Sequence, residues 1–158
     1  MIMTRENSGA IAKEEIMRYK FYSIKIIKCE EMIDKYENDA MNIKSPRTDR
    51  IGENTSVFQF DLLGILNLIE TEKIKIEAFS EMQSWILEVV NGMANKSLRP
   101  DIIRLYLRGE PRKKVAFDRG VSYNHLSDQI QKEFNKGLSD ELITEYNRIR
   151  RKANQFEP

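Results

Sequence analysis

Tyr123, Asn124, Ser127, Asp128 and Gln131 follow one another at steps of one, three, one and three residues, which lays them along one face of a helix. Together they carry the donors and acceptors that read base edges. Asn124 and Gln131 can pair bidentately with adenine, and the Asp128 carboxylate can accept from cytosine N4. Asp128 can equally act by repelling wrong sites. Arg112, Lys113, Lys114, Arg119 and Lys132 precede or interleave with this set and are expected to contact phosphates and fix register. No such constellation exists for bond-making chemistry. The chain has one histidine, His125, and one cysteine, Cys29, with no Gly-rich phosphate loop and no zinc-ligand spacing. Neither an enzyme nor a cofactor is expected. Cys29 reads as a small buried apolar side chain, and His125 as partly buried beside a turn.

Two short helices joined by a tight turn would position these residues. Val115 and Ala116 pair a branched residue with a small one, so a second helix can approach closely. Gly120 stands four residues after Ala116, where the first helix must stop and a positive φ is needed. Ser122 suits the N-cap of the second helix. Leu126, Ile130 and Phe134 then recur every four residues and give that helix one apolar face. Such a helix can enter a DNA major groove, although a plain packing hairpin uses the same residues. Charge favours the nucleic-acid reading. Residues 96–136 hold ten Lys/Arg against five Asp/Glu, a net of +5. Residues 137–158 balance at four against four, so with +1 for the whole chain, residues 1–95 carry −4. A basic module on a mildly acidic scaffold is the footprint of phosphate contact.

The elements around this module read as long helices. At 158 residues, with seven Gly, four Pro, 41% hydrophobic and 32% charged residues, the chain suits an all-α protein of one domain or two small ones. Tyr19, Tyr22, Ile26, Cys29, Ile33, Tyr36 and Ala40 recur every three or four residues and predict one helix over 9–42, capped by Ser8. Ser45 and Pro46 open a polar connection over 43–60. Ile65, Ile69, Ile76, Phe79, Ile86, Val90 and Met93 predict a second long helix over 61–95, with Asn91, Gly92 or Asn95 marking its end. Trp85 and the other aromatics on these seams read as core. The two helices are expected to form a long, coiled-coil-like antiparallel hairpin, within one chain or between chains. A support helix begins near Pro100 and ends at Gly109. Beyond the motif, Ser139 caps a tail helix whose face is Leu142, Tyr146, Ile149 and Ala153. The chain thus divides into a hairpin scaffold over 1–95, with a possible oligomerisation or partner surface, and a module with tail helix over 96–158. No run of 18 apolar residues and no signal-peptide core occurs, so no membrane partner is expected, and the single cysteine fits a cytoplasmic setting.

Leu105, Tyr106, Leu107, Arg108 and Gly109, then Val115, Ala116, Gly120, Val121, Ser122 and Leu126, resemble region 4 of bacterial sigma factors. The wider layout is similar to that of phage late transcription activators of the RinA/ArpU type. These have a long N-terminal helix, a polar loop containing Ser-Pro, a second long helix and a C-terminal sigma-like helix-turn-helix. Lys44, Ser45, Pro46 and Arg47 stand where the loop motif would be. The likeness spans about residues 15–136. It implies a promoter-binding activator of phage late or packaging genes that acts on double-stranded DNA with the RNA polymerase of a bacterial host. Arg119 departs from the pattern, which has an apolar residue before the turn glycine, and is expected either to snorkel over the core or to reach a phosphate. A DNA-packaging adaptor of the small-terminase kind and a helical protein-binding adaptor without DNA contact fit the same layout. Homo-oligomers through the long helices or the tail helix are compatible with each.

Overall fold

The structure, a computed structural model, describes residues 2–44 and 55–155. All regular structure among them is helical, as expected: α1 (Ser8–Met17), α2 (Tyr19–Lys44), α3 (Thr55–Asn91), α4 (Arg99–Ile102) running into a π-helical turn (Ile103–Leu107), α5 (Arg112–Arg119), α6 (Tyr123–Asn135) and α7 (Asp140–Ala153). The polar connection expected over 43–60 is shorter. Helix occupies both its ends, and residues 45–54, with Ser45, Pro46 and Arg47, lie outside the described residues. α3 ends at Asn91, one of the stops the sequence offers.

The helix expected over 9–42 is two helices. Its break is at Arg18, whose N–H is shared between the carbonyls of Glu14 (3.2 Å) and Glu15 (3.0 Å) while its own backbone lies at φ −89°, ψ 0°. Ser8 is not the cap. Asn7 holds the N-cap position. The Ser8 hydroxyl is used elsewhere, donating to the Arg5 carbonyl at 2.9 Å and accepting the Leu138 N–H at 3.0 Å.

α2 and α3 run antiparallel. Gln83 donates to the Tyr19 carbonyl (3.2 Å), Tyr22 stacks on Phe79 (5.9 Å between ring centroids), and Cys29 meets Glu72, so α2 ascends as α3 descends. Burial, followed by the Glu72 carboxylate, pushes the Cys29 thiol up to about 11. Cys29 is therefore a packing residue, since a thiol is nucleophilic only as thiolate.

α7 lies on another face of α3. Trp85 donates its ring N–H to the Leu142 carbonyl at 2.9 Å and packs on Tyr146 at 4.9 Å. Lys152 reaches Glu77 at 2.9 Å. One buried cluster runs from Met3 and Ile16 through Trp85 and Ile86 to Val115, Leu126, Phe134 and Ile149, so the core crosses residue 95 without a gap.

α1 closes the body by lying across the C-terminal helices. Its buried Glu15 accepts from the hydroxyls of Tyr22 and Tyr146 (3.1 Å for the latter), linking α1, α2 and α7. Both phenols are held above the ordinary tyrosine range, first by burial and also by the Glu15 charge. Gly9 allows the closest approach: a Cβ there would overlap the Phe134 carbonyl at the end of α6.

Candidate nucleic-acid interface

α5 and α6 are joined by three residues with defined local reasons. Gly120 adopts φ +76°, ψ 27°, a left-handed conformation that glycine accepts without Cβ strain. The Val121 N–H then bonds back to the Ala116 carbonyl at 3.0 Å. Ser122 is extended and its hydroxyl accepts the His125 N–H at 3.1 Å, capping α6. Val115 and Ala116 of α5 and Leu126, Ile130 and Phe134 of α6 are buried, as the sequence pattern requires.

The opposite side of α6 is in water. Tyr123, Asn124, Asp128, Gln131 and Lys132 are exposed and Ser127 is half-buried. His125 is exposed as well, not partly buried as expected, and only its backbone N–H takes part in the cap. Asn124, Asp128 and Lys132 have no intramolecular polar partner among the described residues. Gln131 is engaged: its carbonyl accepts from Lys13 of α1 at 2.9 Å and its amide donates to Asn135 at 2.9 Å.

The five cations named from the sequence split into two groups. Lys113, Lys114 and Lys132 are exposed, with Lys114 only 3.8 Å from Glu110. Arg112 and Arg119 point inward. The Arg112 guanidinium donates to Ser127 (3.0 Å) and to the Tyr106 hydroxyl (2.8 Å) and sits near the rings of Tyr106 and Tyr123, 5.9 and 5.7 Å from their centroids. It ties the π-helical turn to the first turn of α6. Burial holds the Tyr106 phenol above its ordinary range, against the pull of Arg112. Arg119 pairs with Asp101 at the start of α4 and donates to the Ser97 carbonyl (3.3 Å) and hydroxyl (3.1 Å). Its donors brace α5 on the segment before α4.

Three acids fix the unit further. Glu110, together with Asp118, holds Arg104 in bonds of 2.7–3.1 Å, and its own carboxyl lies below the usual range because Arg104 is its hydrogen-bond donor. Glu133 lies buried at the end of α6. Burial disfavours its charge, but Lys136 (2.9 Å) and the Asn95 N–H (3.3 Å) outweigh that and hold its carboxyl below the ordinary range. Charge in this unit is thus divided between inward pairs that hold the helices and outward lysines, of which Lys114 also lies near Glu110.

Three residues with a place in this surface were given no part in it from the sequence: Lys13, Tyr106 and Phe117. Lys13 and Tyr106 become visible only through tertiary contacts. Phe117 leaves 84% of its surface in water on the outer side of α5, beside Lys113 and Lys114. Its position outside the Val115–Ala116 seam was the available signal. No helix among the described residues is long and apolar enough to cross a membrane. Compared with known protein families, curated proteins and solved structures, the chain matches none, so what it does has to be argued from its own residues.

Proposed function

We propose that α5 and α6 form a helix-turn-helix and that the protein is a sequence-specific DNA-binding transcription regulator, with α6 seated in the major groove. The observation that carries this reading is the split of α6 into a buried apolar face and an exposed face of Tyr123, Asn124, Asp128 and Gln131, beside the exposed cations Lys113, Lys114 and Lys132. Asn124 and Asp128 would read base edges directly. Tyr123 and Ser127 would be held in register by Arg112, and Gln131 would exchange its bond to Lys13 for a base. The three lysines would take phosphates, while Arg119 braces the unit. The resemblance to RinA/ArpU-type activators extends the proposal to activation of phage late or packaging genes with host RNA polymerase.

Footprinting of the full chain on its own genome at physiological salt tests this. A discrete protected site is expected, lost on all sequences in Lys113→Glu/Lys114→Glu, whereas Asn124→Ala relaxes preference at one base pair by about 1–3 kcal/mol. Diffuse protection by a large ring would replace the regulator with a packaging adaptor. Absence of protection at any salt would overturn DNA binding. A second reading, a protein-binding adaptor, has one observation in its favour: Phe117, an aromatic in water between two lysines, suits a partner's apolar pocket with an acidic rim.

A further inference from the structure

Lys13 of α1 is a cation whose polar partner is neutral. Its ammonium donates to the Gln131 carbonyl at 2.9 Å, and among the described residues it forms no ion pair. The other cations at this end of α6 are compensated: Arg5 faces Asp140 at 2.5 Å and Lys136 faces Glu133 at 2.9 Å. Packing fixes where Lys13 stands. α1 lies on α6 so closely that a Cβ at Gly9 would overlap the Phe134 carbonyl. Lys13 follows Gly9 by about one turn and Gln131 precedes Phe134 by about one turn, so both contacts share one face of each helix and set a single register. The Ser8 hydroxyl, accepting the Leu138 N–H at 3.0 Å, holds the start of α1 against the residues that follow α6. A residue of the N-terminal helix is thereby carried to the exposed side of α6, 118 positions away in the chain. The amide it meets leaves the whole ammonium charge at the surface, where it adds to the potential that attracts phosphate.

We infer that α1 is part of the DNA-binding surface and that Lys13 takes a backbone phosphate beside the base pair that Gln131 reads. The inference rests on the helix-turn-helix reading of α5 and α6. Spacing supports it. Arg112 bonds Ser127 and lies by the Tyr123 ring, so the first turn of α5, with Lys113 and Lys114, borders the start of α6. Lys13 and Lys132 border Gln131, eight residues after Tyr123. Eight residues make about 12 Å of helix, and a major groove is about 12 Å wide. Cations at both ends of the exposed face can therefore meet both strands. When Gln131 turns to a base, Lys13 loses a carbonyl and gains a phosphate, so neither group is left without a partner.

The salt dependence of DNA binding by the full chain tests this. Fluorescence anisotropy is followed between about 50 and 200 mM salt on a duplex carrying the footprinted site and on one of arbitrary sequence. Lys13→Met is expected to weaken binding to both and to reduce the slope of log K against log salt by about 1, with the base preference kept. Lys13→Arg, which keeps the charge, should keep the slope. Lys35→Met, in the arm of α2 and α3 beyond Cys29, should leave it unaltered. Should Lys13→Met lose helical circular dichroism, Lys13→Gln is read instead. An unaltered slope on removal of the Lys13 charge, or an equal fall in Lys35→Met, would overturn the inference while DNA binding by α5 and α6 stood. Loss of preference at one base pair without a change of slope would overturn it too, and leave Lys13 as a prop for Gln131. Failure of the unaltered chain to bind either duplex would overturn the helix-turn-helix reading and this inference with it.

Discussion

Met82, Trp85, Ile86 and Val90, in the half of α3 that meets α7, leave at most 1% of their surface in water, while Leu63, Leu66 and Leu68 in the other half leave 45–60%. Both halves are one continuous helix of similar apolar content. The difference lies in what surrounds them. Near Trp85 the helix has neighbours on two faces, and over 62–69 it has α2 on one. Burial, and with it stability, belongs to the assembly of faces rather than to the apolar residues themselves.

Truncation of Trp85 should separate the halves most sharply. Trp85→Ala removes a fully buried ring, its bond to Leu142 and its packing on Tyr146, and is expected to cost about 3–5 kcal/mol in chemical denaturation. Leu66→Ala should cost far less at concentrations where the chain is a monomer. Equal losses would show that the arm is already covered.

Two glycines sharpen the contrast with opposite signs. Gly9→Ala forces a methyl group into the Phe134 carbonyl, and α1 must shift off α6, for a loss of about 1–3 kcal/mol. At Gly64 a Cβ meets nothing within 4 Å, so Gly64→Ala should stabilise the monomer by about 1 kcal/mol through helix propensity. Melting temperatures of the two variants, moving apart, would bear this out.

The smallest effect expected is in the dependence on acid. Glu133 is held below its ordinary pKa of 4.5 in the folded chain. Its contribution is therefore complete above that value and fades as pH falls through the lower folded value. In Glu133→Gln this part of the acid dependence should vanish, leaving stability flatter as pH falls below 4.5. An unchanged acid limb would move the dependence to Glu110 or other carboxylates.

How much was legible in the sequence follows the same division between local and distant causes. α6 and α7 announce themselves through apolar residues every three or four positions and through Ser122 and Ser139, whose hydroxyls accept the His125 and Leu142 N–H groups. The turn at Gly120 needs only a local left-handed residue, and Trp85 reads as core from its place on a seam. The break at Arg18 has no Gly or Pro to mark it. It exists because α1 leaves the α2 line to lie on α6, and the apolar spacing runs through it unaltered. Ser8 has the chemistry of a cap, but Leu138, 130 residues away, takes its oxygen. Arg112 and Arg119 look like free cations until their partners Ser127, Tyr106, Asp101 and Ser97 are known. Of the proposed interface, the exposed face of α6 was legible, because amphipathic spacing sorts inside from outside. Which cations face outward was not, because sequence charge says nothing about pairing.

The segment from Met3 through α1 makes several polar contacts with residues more than a hundred positions later: Met3 with Asn147, Arg5 with Asp140, Ser8 with Leu138, Lys13 with Gln131. During synthesis this segment therefore waits for partners that are made 118 to 144 residues later. At about 5–20 residues per second, the nascent α1 stays without its docking surface for several seconds to tens of seconds. During that interval Ile11, Ala12 and Ile16 lack the part of their cover that α6 supplies. Docking of α1, whose contacts are long-range in sequence, becomes an event that follows synthesis of α6 and α7, and until then α1 is open to chaperones and proteases.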